Sequence, residues 1–79
     1  MKKVVIYSTP TCHFCSLAKE FFLENKIPFE AYDVAGDMER RTEMIQKSGQ
    51  MGVPVIVIDD TEVIVGFDKA RLKASLAIV

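Results

Sequence analysis

Cys12 and Cys15 are the only two cysteines of this 79-residue chain, and the only histidine, His13, lies between them, followed by Phe14. Two thiols at this spacing can cycle between dithiol and disulfide. That requires one sulfur to be exposed and ionised and the other to be within reach of it. The surrounding sequence supplies both conditions. A buried strand ends at Ser8-Thr9-Pro10-Thr11, and an amphipathic helix then begins near Cys12. The first N–H groups of a helix have no partner within it, and they lie at the positive end of its dipole, so a sulfur placed there is favoured as thiolate. Cys15 sits one turn deeper. The expected division of labour is therefore Cys12 as nucleophile and Cys15 as the resolving thiol. Two plainer readings compete: both cysteines as inert core residues, or the pair as half of a metal site completed by a second chain. The core reading suits Cys15 far better than Cys12, which stands in a turn beside Pro10.

The elements that position this pair follow from the hydrophobic pattern. Lys3–Tyr7 is a β-branched and aromatic run, as expected of a strand buried on both faces. A helix is predicted over 13–25, with Phe14, Leu17, Ala18, Phe21 and Phe22 on its apolar side and Ser16, Lys19, Glu20 and Glu24 facing water. Phe29–Val34 reads as a second strand, placed at an edge by Glu30 and Asp33. Asp37 caps a second helix that closes at Ser48-Gly49, with Met38, Met44 and Ile45 as its thin apolar face. Val53–Ile58 and Glu62–Val65 form a hairpin around Asp59-Asp60-Thr61. Gly66 ends it. Asp68 then caps a last helix whose Phe67 and Leu72 are spaced as a hydrophobic staple, with Leu76 and Val79 continuing the face. A helix between the first two strands makes them parallel with a right-handed crossover, and the hairpin adds antiparallel strands. The expected architecture is an α/β domain in the order β-α-β-α-β-β-α, one four-stranded mixed sheet flanked by helices.

Composition narrows the function classes. Ten Lys and Arg against eleven Asp and Glu leave a formal net charge of −1, with no basic excess for nucleic acid or an anionic membrane surface. The chain's two cysteines and one histidine cannot by themselves close a four-ligand structural zinc site, and two cysteines cannot build a multi-bridge secreted framework. The longest apolar run, Val53–Ile58, falls far short of the roughly 20 residues that cross a bilayer. Lys2-Lys3 followed by Val4–Tyr7 imitates an export signal, but Ser8-Thr9-Pro10 ends the apolar stretch too soon. A single cytoplasmic domain over residues 1–79, monomeric, without nucleic-acid or membrane partners, is the expectation.

The segment Tyr7-Ser8-Thr9-Pro10-Thr11-Cys12-His13-Phe14-Cys15 resembles the active-site stretch of glutaredoxins, as does Gly52-Val53-Pro54 before a strand. Gly66-Phe67-Asp68 resembles the glycine turn before the family's last helix. The resemblance spans essentially the whole chain and implies a thioredoxin-like, three-layer fold with a cis bond before Pro54, placed opposite Cys12. It implies a thiol–disulfide oxidoreductase, an electron carrier in redox homeostasis. Its substrates would be disulfides of proteins or small molecules, and its electron donor glutathione or thioredoxin reductase. No tightly bound cofactor is implied, although some glutaredoxins carry an iron–sulfur cluster between two chains. The chain departs from the common family pattern at His13-Phe14, where Pro-Tyr is usual, at Thr9, where a glutathione-contacting lysine often stands, at Gly52, often threonine, and at Phe67, often a second glycine. The Gly-Phe pairing is closer to redoxins that serve ribonucleotide reductase.

By the same resemblance, Thr11, His13, Phe14, Val53, Pro54, Phe67 and Asp68 are the expected substrate-binding residues. Val53 would offer its main chain to an extended disulfide substrate, a short form of strand addition. Phe14 would be an exposed rim. Asp68 would hold the amino end of glutathione as well as capping its helix. Protonated His13 would add positive charge beside Cys12. Met44 and Met51 read as core fillers, and Arg40, Arg41 and Lys47 as a solvated face.

Overall fold

The computed structural model describes residues 3–76; the expectation at Val79 lies outside them. The elements are β1 (Val4–Ser8), α1 (His13–Glu24), β2 (Glu30–Asp33), α2 (Met38–Ser48), β3 (Val55–Ile58), β4 (Glu62–Val65) and α3 (Lys69–Ser75). The sheet order is β2-β1-β3-β4, with β1 parallel to β2 and antiparallel to β3, and β3 antiparallel to β4. β2 is an edge strand, as its polar residues predict. Element order and strand directions match the expectation from sequence.

Strand alternation divides the core into two layers. Val4 and Ile6 of β1, Ile56 and Ile58 of β3 and Ile64 of β4 face Ala18, Phe21 and Phe22 of α1 and Leu72 of α3. Val5, Tyr7, Val55 and Val57 face the other way, onto Val34 and Met44. Both faces of β1 and β3 are therefore covered, which explains why those strands read as unbroken apolar runs. Asp59 and Asp60 take left-handed φ of 54° and 60° as the central residues of a turn closed by Thr61 N–H on Ile58 C=O at 3.2 Å, within the three-residue connection between the paired Ile58 and Glu62. Asp68 Oδ1 accepts the Arg71 N–H at 3.1 Å, and Phe67 and Leu72 both join the α1-side core, so the capped and stapled start of α3 is present.

Four expectations need correction. Met38 is 68% exposed, and the α2 side chain that enters the core is Met44. Six positions separate the two methionines, which turns Met38 about 120° round the helix from the buried Met44. Met51, expected in the core, is 61% exposed. The run from Val53 is strand only from Val55, because Pro54 lacks an N–H for the ladder; the Val53-Pro54 bond is cis, as the resemblance implied. Finally, Arg40 and Lys47 are not merely solvated. Arg40 lies 4.0 Å over the Tyr32 ring and pairs with Glu43 at 3.0 Å; Lys47 reaches Glu43 at 3.9 Å and Asp60 at 3.5 Å.

Glu43 also accepts the hydroxyl of Tyr7, a fully buried β1 residue, and so ties α2 to the strand that leads into the cysteine turn. That hydrogen bond, with Arg40 and Lys47 adding to it, holds the Glu43 carboxyl below its ordinary range despite an opposing desolvation effect. Burial, then the bond to Glu43, pushes the Tyr7 phenol upward, so it stays the donor. A depressed carboxyl stabilises the fold above its unfolded pKa, and that contribution is lost as pH falls through the folded value. Glu43→Gln is therefore expected to flatten the acid limb of stability below about pH 4.5, the ordinary glutamate value, in urea melts run against pH. An unchanged acid limb would contradict the role assigned to this carboxylate.

Candidate active site

The strand register gathers the expected site segments at one end of the sheet. Tyr7 pairs with Val55, and Val55 pairs with Val65. The turn after β1, the Val53-Pro54 approach to β3 and the Gly66-Phe67-Asp68 exit from β4 therefore leave the sheet on the same side. Gly66 N–H donates to Pro54 C=O at 2.8 Å and joins two of these segments directly. Gly66 has φ of 82°, so glycine is the residue that makes this turn without strain. Separation along the chain thus becomes proximity at the site.

Cys12 N–H donates to Thr9 C=O at 3.3 Å, closing a turn with Pro10 in its second position. That turn sets Cys12 as the N-cap of α1, with φ −85° and ψ 113°, and its Sγ accepts the Cys15 N–H at 3.1 Å. Cys12 thus does with sulfur what Asp37 and Asp68 do with a carboxylate at the other two helix starts. The helix start aims a main-chain donor at the Cys12 sulfur. Cys12 is half-buried, whereas Cys15 is 1% exposed. Burial, followed by the hydrogen bond with Cys12, pushes the Cys15 thiol up to about 11, against smaller opposing effects from the Thr9 backbone and Lys19. The two sulfurs are therefore chemically distinct: one caps the helix at the surface, and the other is a protonated thiol beneath it.

The remaining expected residues divide by burial. Thr11, His13 and Asp68 are exposed, Phe67 and Val53 are half-buried, and Pro54 is buried. Phe14 is 58% exposed with its ring edge-on to His13, so it stands as a rim. Phe67 packs edge-on against Phe21, with centroids 6.1 Å apart. Among the described residues, the N–H and C=O of Val53 make no hydrogen bond within the chain, leaving a main-chain donor and acceptor open beside the cysteine turn. Also among the described residues, no three His, Cys, Asp or Glu side chains converge on a possible metal site, and no helix is long and apolar enough to cross a membrane.

A glutaredoxin family model matches residues 4–63. The chain belongs to the glutaredoxin family. It is 49% identical over 69 residues to an uncharacterised glutaredoxin-like 8.6 kDa protein of the rubredoxin operon of Clostridium pasteurianum, covering 87% of this chain and 91% of that one. It is 37% identical over 59 residues to glutaredoxin 3 of Escherichia coli, covering 75% and 71%. Among solved structures, a mutant of a thioredoxin-like protein superposes with a TM-score of 0.91 at 34% identity, covering all of both chains. The fold is thioredoxin-like, as the resemblance implied.

The sequence did not flag Gln50, and it marked Ser48 only as part of the end of α2; both shape the loop before Val53. Ser48 Oγ donates to Met44 C=O at 2.7 Å and accepts the Gln50 N–H at 3.3 Å. The Gln50 side-chain amide bonds both main-chain groups of Gly52. Polar side chains that fold back on an irregular segment leave no periodic signal.

Proposed function

We propose that this glutaredoxin-family protein is a dithiol oxidoreductase that reduces disulfides of proteins or small molecules. The observation that carries the proposal is the helix-capping Cys12 sulfur on the Cys15 N–H, with the protonated Cys15 thiol buried behind it. Cys12 thiolate attacks one substrate sulfur, the substrate S–S bond breaks, and the departing thiolate takes a proton from water. Cys15 then gives up its proton and attacks Cys12 Sγ. This expels the second substrate thiolate and leaves a Cys12–Cys15 disulfide. Two electrons have then passed from the protein to the substrate, and of the two protons the products carry, one comes from water and the other from Cys15. Thr11, His13, Phe14, Val53, Pro54, Phe67 and Asp68 line the approach, and the free Val53 main chain holds an extended substrate segment.

A cytoplasmic setting keeps such a dithiol reduced and available. Glutathione and thioredoxin reductase are the two candidate electron donors. Glutathione carries two carboxylates, and Thr9 offers no cation where the family often has a lysine, so glutathione is the poorer donor in this reading. The test supplies the oxidised protein with NADPH and either thioredoxin reductase or glutathione plus glutathione reductase. NADPH consumption with at least one, and slower with glutathione, is expected. Consumption with neither refutes the function.

A further inference from the structure

Gln50 is a half-buried polar side chain outside the expected site, yet both ends of its amide are engaged on a single residue. Oε1 accepts the Gly52 N–H at 2.7 Å, and Nε2 donates to Gly52 C=O at 2.9 Å. One amide that satisfies both main-chain groups of one residue acts as a one-residue strand partner, and it fixes which way that residue's backbone faces. The Gly52–Val53 peptide is trans and planar, so the Val53 N–H must point opposite to Gly52 C=O, away from Gln50. Its place before proline keeps Val53 out of the helical region. The Val53 N–H and C=O make no hydrogen bond of their own to the described residues.

We propose that Gln50 is a positioning residue for substrate docking: its amide locks Gly52 inward and so holds the Val53 main chain outward for the disulfide-bearing segment. This rests on the disulfide-reductase reading above and adds to it the group that presents the docking edge. Glycine at 52 belongs to the same device. A Cβ there would lie 2.8 Å from Gln50 Oε1, so any larger residue displaces the amide. The atom that would yield is the tip of a flexible side chain, so the substitution removes the clamp while leaving the fold in place. A chain with threonine at this position would have to present the neighbouring residue by other means.

The experiment measures reduction of a synthetic peptide with one internal disulfide, with dithiothreitol as reductant, alongside the rate at which iodoacetamide labels Cys12. Docking needs the Val53 main chain, and iodoacetamide does not. Gln50→Ala is expected to raise KM for the peptide by about five- to tenfold, the scale of one misplaced main-chain hydrogen bond, with the labelling rate unchanged within twofold. Gln50→Glu, which can accept from Gly52 N–H but cannot donate to its carbonyl, is expected to fall between. Gly52→Ala is expected to raise KM similarly alone and to add little to Gln50→Ala, because both remove one clamp. An active wild type with unchanged KM in Gln50→Ala overturns the proposal. So does a labelling rate that falls as KM rises, which would mean general disruption. A wild type that fails to reduce the peptide at all is a distinct result, refuting the reductase reading and the docking role with it.

Discussion

Cys12→Ser is expected to reduce peptide-disulfide turnover by more than about a thousandfold while leaving the fold intact, because a serine hydroxyl is un-ionised at neutral pH and cannot open a disulfide. The substitution keeps the helix cap, since serine is a favoured N-cap residue and its oxygen can accept the Cys15 N–H that sulfur accepts at 3.1 Å. Loss of activity with an unchanged urea midpoint therefore isolates the chemistry from the structure. Cys15→Ser should behave differently. Its first attack remains available, but nothing expels the bound half of the substrate, so a mixed disulfide accumulates on Cys12 and is visible as an added mass. Wild-type turnover in Cys12→Ser would show that the helix-capping sulfur is not the nucleophile.

Phe22→Ala is expected to cost about 3–5 kcal/mol, the range for emptying a buried aromatic site. Phe22 is fully buried between α1 and the sheet, with the Phe21 ring centroid at 5.9 Å and that of Phe29 at 5.3 Å. It lies on the same core face as Ala18, Ile6 and Ile56, so it ties the helix that begins at Cys12 to the two central strands. A 79-residue domain has a total stability of roughly 4–12 kcal/mol, so this one change removes a large share of it. Urea unfolding followed by circular dichroism reads the effect directly. A loss below about 1 kcal/mol would mean that the surrounding side chains collapse into the space, contrary to close packing around this ring.

Sequence and structure agree where a local physical rule dominates. Asp37, Asp68 and Gly49 mark helix ends because capping depends on the type of a single residue, and all three cap as expected. The β-branched runs of β1 and β3 declare burial on both faces because no polar residue interrupts them. Cys12 and Cys15 were legible from spacing and context together. The contacts that depend on tertiary placement were not. Whether Met38 or Met44 enters the core depends on where α2 crosses the sheet, which periodicity leaves open by a turn or more. Arg40 and Lys47 look solvated until Tyr32, Glu43 and Asp60 are brought beside them from other elements or from elsewhere on α2. Gln50 acts through a loop whose shape follows from Gly49, Ser48 and the Val53-Pro54 bond, and no pattern in the chain announces it.

The proposed chemistry depends most on the inequality of the two sulfurs, and mass-spectrometric mapping of iodoacetamide labelling at pH 7 tests it most directly. With its thiol pushed up to about 11 by burial, Cys15 stays protonated at that pH and is only 1% exposed besides. The predicted result is label on Cys12, with Cys15 unmodified until the protein is unfolded. Equal labelling of both cysteines in the folded, reduced protein, or label on Cys15 first, would contradict it.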